Sequence, residues 1–290
     1  MKLTSAFSSR ISAAPPHLWF VVSAIFHYLG PSFAVLLFEQ IDVLGVAWFR
    51  IASAAVVFSF WTKPWRTFRS ANRETVTLLL LLGACLALMN SAFYLAIDRL
   101  PLSLVATMEF VGTIAVALFG LKALRNYVAL AIAVAGVMTL IDVRWSNDLL
   151  GLSFAVINAQ LFMTYIILGH RISQQGAGEG VGRLGAAMAA AFVFVMPIGI
   201  QDAIAAFASP LLILAGIGVG ISSSVVPYVC DQLAMSQLSR NTYALMLALL
   251  PATATIVGAV VLGQVPTPRD ICGILLVMVG VALHKPAENI

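Results

Sequence analysis

Long apolar segments alternate with short polar ones along the whole chain. Each apolar segment has about 20 residues, which is long enough for a helix to cross a hydrocarbon core of roughly 30 Å. Helices are expected because a bilayer offers backbone groups no hydrogen-bond partners, and the ten-residue alternation of a membrane barrel strand does not occur in the sequence. The pattern predicts ten spans, at 17–38, 44–62, 76–97, 102–121, 125–142, 149–170, 183–200, 210–231, 243–263 and 269–285.

The composition agrees with this pattern. The 290 residues are 61% hydrophobic and 10% charged, with a mean hydropathy of +1.00, whereas soluble domains carry roughly 25% charged residues. The fold class predicted is therefore an all-α membrane protein whose main partner is the lipid bilayer. Cys85, Cys230 and Cys272 all lie in predicted spans, so they indicate neither a disulfide framework nor a metal site. No cofactor is expected.

Lys and Arg residues are unevenly distributed between alternating loops. Twelve lie in one set of loops and termini, and three lie in the other set, Arg99, Arg144 and Arg269. Because cytoplasmic loops are enriched in Lys and Arg, this bias predicts that both termini are cytoplasmic. The same bias accounts for the net charge of +4 without a nucleic-acid partner.

The two halves of the chain resemble each other. An offset of 138 residues aligns 95–120 with 233–258, and six of the 26 aligned positions are identical. This offset equals five predicted helices, an odd number, so the halves would enter the membrane from opposite sides. Such inverted repeats place the substrate site of many transporters near the bilayer midplane. We expect two five-helix repeats, 17–142 and 149–285, joined by the polar segment "HRISQQGAGEGVGR".

Proline and glycine residues interrupt three of the predicted helices. Gly30 and Pro31 lie in the first, Pro227 in the eighth and Pro251 in the ninth. Because proline removes a backbone donor and kinks a helix, these positions predict helix breaks near a central cavity. Ordinary irregularity of membrane helices is the alternative.

Two charged residues lie deep inside predicted spans. Intramembrane charges are functional candidates by default, because inserting one costs roughly 2.5 to 3.5 kcal/mol. At 1.5 Å per residue, Arg50 and Glu109 both lie about 9 Å from the predicted periplasmic boundary, and Asn90 reaches the same depth. In one interpretation Arg50 and Glu109 form a structural pair completed by Asn90. In the other, Arg50 binds a substrate carboxylate while Glu109 binds an ammonium group or a proton.

Other polar residues in the predicted spans indicate a functional role less strongly. Asp231 lies near the cytoplasmic end of the eighth predicted helix, where we expect interfacial water to solvate it. His27 and Tyr28 lie mid-span in the first helix, either buried or facing a cavity. The hydroxyls of "GISSSVVP" at 220–227 can bond backbone carbonyls or a substrate.

An intramembrane hydrolase is the alternative from a different class. The sequence lacks the Gly-x-Ser-Gly pattern of intramembrane serine proteases, and Asp231 lacks a Gly-x-Gly-Asp partner motif. Without a nucleophile and a base placed together, we do not expect an enzyme.

Three stretches carry a resemblance to a known family. They read "GVAWFRIA" with "KPWR", "MNSAFYLAIDRLPLSLVATMEFVGTIAVALF" and "VVPYVCDQLAMSQL". In these the chain resembles the drug/metabolite transporter superfamily, ten-helix EamA-type branch, and within it the threonine/homoserine exporters. The resemblance implies a bacterial inner-membrane exporter of small zwitterionic amino acids, coupled to protons. It carries site roles onto Arg50, Asn90, Glu109 and Asp231.

The sequence departs from the family pattern at three positions. Thr113 stands where related sequences often have proline, Leu250 where close relatives carry an acid, and Gln264 where an acid is usual. These departures bear on proton coupling and on the substrate, and not on the fold. Export of another metabolite or of a drug is the alternative within the same superfamily. The sequence carries no signal of oligomeric state.

Overall fold

The computed structural model describes residues 15–118, 123–140, 148–174, 177–263 and 265–283. These residues form helices and turns, and no β-strand occurs among them. The α-helices, numbered in chain order, are α1 (Pro16–Val35), α2 (Val43–Thr62), α3 (Pro64–Ser70), α4 (Arg73–Ile97), α5 (Leu102–Leu118), α6 (Leu124–Leu140), α7 (Leu149–Ser173), α8 (Ala177–Ala203), α9 (Pro210–Gly220), α10 (Val226–Met235), α11 (Arg240–Met246), α12 (Leu249–Val261) and α13 (Pro268–Leu283).

Seven helical segments in the described part of the chain are long and apolar enough to cross a membrane. They are Pro16–Val35, Val43–Thr62, Arg73–Ile97, Leu149–Ser173, Gly178–Ala208, Pro210–Met235 and Thr242–Val261. The prediction of an all-helical membrane protein is thereby confirmed. The three other predicted spans fall on α5, α6 and α13, whose described parts have 17, 17 and 16 residues.

The predicted interruption of the first helix is wrong. Helix α1 continues through Gly30 and Pro31 to Val35. A single missing N–H is tolerated inside a bundle because neighbouring groups can satisfy the carbonyl that it leaves without a donor. Gly30 serves close packing instead: a Cβ atom built on it would overlap the Ser223 Oγ and would lie 2.7 Å from the Ser223 nitrogen. Only glycine lets the two backbones approach this closely.

The two other prolines lie where helical segments begin. Pro227 is near the start of α10, directly after a π-helical turn at Ile221–Val225 that joins α9 to α10. Pro251 lies in the first turn of α12, after a short break that separates α12 from α11. At Pro251 the missing N–H is tolerated because the N–H groups of a first turn have no intrahelical acceptor. At Pro227 the π-helical turn changes the register of the backbone hydrogen bonds, since the Val226 N–H bonds the Ile221 carbonyl. The eighth and ninth predicted helices are thus irregular near these prolines, as the sequence suggested.

Small residues allow the helices around the bundle centre to pack closely. A Cβ on Gly45 of α2 would lie 2.7 Å from the Asp202 backbone oxygen of α8, and a Cβ on Gly199 of α8 would overlap the Leu44 backbone oxygen of α2. Small side chains at helix contacts are typical of membrane bundles. Helix α2 also packs on α9, α4 packs on both α7 and α8, and α1 packs on α10. These contacts bring α1, α2, α4, α5, α7 and α10 around one central region.

A surface ion pair joins the end of α4 to the start of α7. The Asp148 carboxylate accepts hydrogen bonds from the Gly151 backbone N–H at 2.9 Å and from Arg99 Nη1 at 3.2 Å. The backbone bond, followed by the Arg99 charge, lowers the pKa of Asp148 below its ordinary value. Asp148 is therefore ionised at neutral pH, as suits the N-cap of a helix.

Candidate functional site

Arg50 is buried in the middle of the bundle, with 2% of its surface exposed. Its Nε donates to the Ser224 Oγ at 2.9 Å, and its Nη2 donates to the Ser223 carbonyl at 2.8 Å. In α-helical register the Ser223 carbonyl would accept the N–H of residue 227, but Pro227 has none. The π-helical turn and the proline together leave this carbonyl available to the guanidinium. Such turns are frequent at functional sites.

Aromatic side chains surround the Arg50 guanidinium. Its Cζ lies 5.3 Å from the Tyr94 ring centroid, 5.9 Å from that of Phe93 and 6.0 Å from that of Tyr228. Rings at this range attract a cation. All the hydrogen-bond acceptors of Arg50 among the described residues are uncharged, so no described carboxylate bonds the guanidinium directly.

Asn90 is linked to Arg50 through Tyr228. The Tyr228 hydroxyl donates to the Asn90 Oδ1 at 3.1 Å and lies 3.5 Å from Arg50 Nη2. The Asn90 amide in turn donates to the Leu86 carbonyl at 2.6 Å. The structure therefore brings Asn90 into the Arg50 network, as its depth suggested, but through a tyrosine that the sequence analysis did not select.

Glu109 is buried, yet it does not pair with Arg50. Its Oε1 accepts a hydrogen bond from the Asn158 amide at 2.8 Å, and its Oε2 accepts one from the Tyr28 hydroxyl at 3.1 Å. Across the described ranges the only ion pair is that of Arg99 with Asp148. The first of the two interpretations, a structural ion pair of Arg50 and Glu109, is therefore not what the structure shows.

The reason lies in which helices cover each residue. The turn before α10 supplies the acceptors of Arg50, whereas α1 and α7 supply the donors of Glu109. Equal depth does not make two side chains neighbours, because rotation about the helix axis decides which helix each side chain meets.

Asp231 is buried with 3% of its surface exposed, so the expectation of a solvated carboxylate is also wrong. Its oxygens accept hydrogen bonds from the hydroxyls of Ser23 on α1 and Tyr165 on α7, the second at 2.9 Å. The Tyr243 hydroxyl of α11 lies against the same carboxylate. Three helices thus cover this end of α10 and exclude interfacial water.

His27 and Tyr28 have different surroundings. The Tyr28 hydroxyl reaches Glu109, whereas the His27 ring packs 5.4 Å from the Tyr28 ring and 5.6 Å from the Phe162 ring. His27 is 6% exposed. Among the described residues the structure therefore brings Tyr28, and not His27, into hydrogen-bond contact with a carboxylate.

Sequence reasoning missed several residues that hold the charged groups. Asn158 is the clearest case, because an amide inside the apolar α7, nine residues after Leu149, carries the same kind of signal as Asn90. Tyrosines are frequent at the membrane–water interfaces of membrane proteins and gave no comparable signal. The residues missed are Ser23, Asn158, Tyr165, Tyr228 and Tyr243.

Chemically, the site offers one cation and two carboxylates, each held by neutral groups in the bundle centre. Neutral partners can be exchanged for an oppositely charged ligand group, because charge-assisted hydrogen bonds are roughly twice as strong as neutral ones. Ionisable groups of this kind in the interior of a helical membrane bundle are typical of the substrate and ion pathways of polytopic membrane transporters.

Comparison with known proteins identifies the family to which the chain belongs. The chain belongs to the EamA-like transporter family of the drug/metabolite transporter superfamily, whose family model matches residues 149–284. It is 32% identical over 243 residues to the threonine/homoserine exporter RhtA of Escherichia coli (strain K12), covering 82% of this chain and 80% of that protein. It is 29% identical over 260 residues to RhtA of Salmonella typhimurium (strain LT2), with 88% and 86% covered.

A solved crystal structure of a protein only 13% identical in sequence has the same overall fold. The TM-score is 0.66, with 93% of this chain and 97% of that chain covered. Membership of a transporter family confirms the resemblance found in the sequence and the expectation that the protein is not an enzyme. The hydrolase alternative is set aside.

Proposed function

We propose that this protein is an inner-membrane exporter of small amino acids of the threonine/homoserine type, working by alternating access and coupled to protons. The relatives named as threonine/homoserine exporters support the substrate class. The observation that carries the proposal is the buried Arg50 guanidinium, which has only uncharged hydrogen-bond partners in the described chain, in a bundle that also buries Glu109.

The Arg50 site fits the carboxylate of an amino acid. A guanidinium binds a carboxylate through two parallel hydrogen bonds, and Ser223 and Ser224 accept hydrogen bonds from two of its donors in this structure. Glu109 is the complementary group for the ammonium end. A zwitterion placed between them neutralises both buried charges at once, which lowers the cost of holding each one in the membrane.

We propose ten membrane crossings arranged as two inverted repeats, 17–142 and 149–285. The helix contacts support this, because the same contacts recur when each helix is replaced by its counterpart in the other half. The counterparts are α1 and α7, α2 and α8, α4 and α10, α5 and α12, and α6 and α13. Thus α4 packs on α7 as α10 packs on α1, and α5 packs on α7 as α12 packs on α1. Helix α2 packs on its own counterpart α8, and α6 packs on its counterpart α13.

In this arrangement both termini lie in the cytoplasm. The bias of Lys and Arg supports this orientation. It places the Arg99–Asp148 ion pair on the periplasmic side. Residues 1–14 and 284–290, which include both termini, lie outside the described residues.

Proton coupling is proposed to use the buried carboxylates of Glu109 and Asp231. Both are held by uncharged donors, so each can carry a proton in place of a counter-ion. The three positions at which the sequence departs from the family pattern do not include either of these two acids. Leu250 is buried, whereas the Thr113 side chain and Gln264 lie outside what the structure describes.

Counterflow in proteoliposomes tests the proposal. Vesicles loaded with unlabelled threonine should accumulate labelled threonine transiently, and homoserine should replace threonine on the inside. A panel of other amino acids and cationic drugs is run in parallel. Absence of counterflow with every zwitterion would refute the proposal, and counterflow with cationic drugs alone would favour the drug exporter alternative. Saturation with concentration distinguishes a carrier from a channel.

A further inference from the structure

The two buried carboxylates are held by the same pair of helices. Helix α1 donates to Asp231 through Ser23 and to Glu109 through Tyr28. Helix α7 donates to Asp231 through Tyr165 and to Glu109 through Asn158. The donors on each helix are separated by about 8 to 11 Å at 1.5 Å per residue. The two acids therefore occupy two levels of one seam, with Asp231 at the level nearer the start of α1.

The hydrogen-bond partners of the two acids differ in chemistry. Both oxygens of Asp231 are held by hydroxyls, and a hydroxyl can either donate or accept a hydrogen bond. Asp231 can gain or lose a proton while keeping its hydrogen bonds. Glu109 receives one of its bonds from the Asn158 Nδ2, an NH2 group that donates and does not accept. With the amide in this orientation, only the Glu109 oxygen that faces Tyr28 can take up a proton while both hydrogen bonds are kept.

The two acids also differ in their electrostatic surroundings. Glu109 lies within the electrostatic reach of Arg50. No cation acts on Asp231 among the residues that the structure describes. The titratable groups facing Asp231 are Tyr165 from α7 and Tyr243 from α11, with Cys230 and Tyr228 on its own helix and the Ser23 hydroxyl from α1. All of these are neutral at physiological pH in their usual form.

We infer that the two carboxylates divide the work of coupled export, Asp231 carrying the proton and Glu109 holding the ammonium group of the substrate. This inference rests on the proposed function and assigns a role to each acid within it. The Asp231 carboxylate takes a proton from water on one side of the membrane and becomes a neutral carboxylic acid, whose O–H donates to a surrounding hydroxyl oxygen. The same proton leaves to water on the other side, so charge and atoms balance.

The shared helices give a reason for the two events to be linked. Tyr28 and Ser23 lie on one rigid helix, and Asn158 and Tyr165 lie on another. A movement of α1 against α7 that opens the donors of one acid also displaces the donors of the other. Proton release at Asp231 and substrate release at Glu109 are then coupled through the position of these helices.

Exchange and net transport separate the two roles. In counterflow no net proton movement is needed, whereas transport driven by a pH gradient requires the proton site. For Asp231→Asn we expect that exchange of threonine remains measurable while gradient-driven transport falls by more than about tenfold, a change of 1.4 kcal/mol. For Glu109→Gln we expect that both exchange and gradient-driven transport are lost.

The outcomes distinguish this inference from the proposed function. If the wild-type protein shows no counterflow, the proposed function itself fails. If the wild-type protein exchanges threonine, either of two results overturns the inference. One is that Asp231→Asn loses exchange while Glu109→Gln keeps it, and the other is that Asp231→Asn keeps gradient-driven transport.

Ser23→Ala keeps the inference testable if Asp231→Asn is not recovered as folded protein. Loss of this hydroxyl should move the pH midpoint of gradient-driven transport by about half a unit or more, because hydrogen bonds to an acid shift its titration. Ser222→Ala is the matched control, since the Ser222 hydroxyl bonds carbonyls of its own helix. An identical pH midpoint in Ser23→Ala and Ser222→Ala would contradict a proton site at Asp231.

Discussion

Gly30→Ala tests whether the close contact between α1 and the π-helical turn holds Arg50 in place. The new Cβ would lie 2.7 Å from the Ser223 nitrogen and 2.8 Å from its Cα. Since ordinary contacts of this kind exceed about 3.4 Å, the turn must move by about 0.6 Å or more. The Ser223 carbonyl that binds Arg50 at 2.8 Å belongs to this same residue, so the displacement reaches the site directly.

The expected magnitude follows from overpacking of a close-packed interior, which costs about 1 to 3 kcal/mol. For a chain of this size such a loss lowers the melting temperature by roughly 2 to 10 °C. Thermal denaturation in detergent measures the stability, and threonine counterflow measures the site. Both should decrease.

Gly218→Ala is the matched control, because a Cβ at Gly218 in the adjoining helix α9 meets no atom within 4 Å. Alanine there should be neutral or slightly stabilising, since it forms helix better than glycine by about 1 kcal/mol. The reasoning would be refuted if Gly30→Ala and Gly218→Ala had the same melting temperature and the same counterflow as the wild-type protein.

Three further substitutions test the site. Arg50→Lys keeps the charge but loses two-point binding, so the threonine concentration for half-maximal counterflow should rise by about tenfold or more; an unchanged value argues against carboxylate binding. Glu109→Gln should abolish threonine exchange in folded protein, and exchange at the wild-type rate would favour a purely structural acid. Tyr228→Phe cuts the link between Asn90 and Arg50, costing about 0.5 to 1.5 kcal/mol. A lowered melting temperature with residual transport is expected, and unaltered values would show the link to be unimportant.

The sequence predicted the class of fold well because hydrocarbon imposes a simple requirement on every span. Helix length and apolarity are local properties, so the positions of helices could be found without knowing their neighbours. The same rule placed Arg50, Asn90 and Glu109 at one depth. In the structure Arg50 and Glu109 each lie seven residues after the start of α2 and α5, and Asn90 lies seven residues before the end of α4.

The contacts of the site could not be predicted in the same way. Depth fixes one coordinate of a side chain, while its partners depend on helix order and rotation, which arise from packing across the whole bundle. This is why Glu109 meets Tyr28 and Asn158 instead of Arg50. Asp231 was misjudged for a related reason, since three neighbouring helices cover an end of α10 that the sequence alone would leave in water.

The helix irregularities also depend partly on local properties, which the sequence shows, and partly on packing, which it does not. The missing N–H of Pro227 is a local property that the sequence shows, and the Ser223 carbonyl that it leaves available accepts a hydrogen bond from Arg50. The continuity of α1 through Pro31 depends on packing against other helices. A proline therefore identifies a candidate position, and the surrounding bundle decides whether the helix breaks there.

Competition with threonine analogues tests most directly the claim that a zwitterion is held between Arg50 and Glu109. Labelled threonine counterflow is measured with unlabelled threonine, with threonine methyl ester, which lacks the carboxylate, and with 3-hydroxybutyrate, which lacks the ammonium group. We expect threonine to compete at least about a hundredfold better than either analogue, because each analogue leaves one buried charge unpaired. Equal competition by threonine and either analogue would contradict the account.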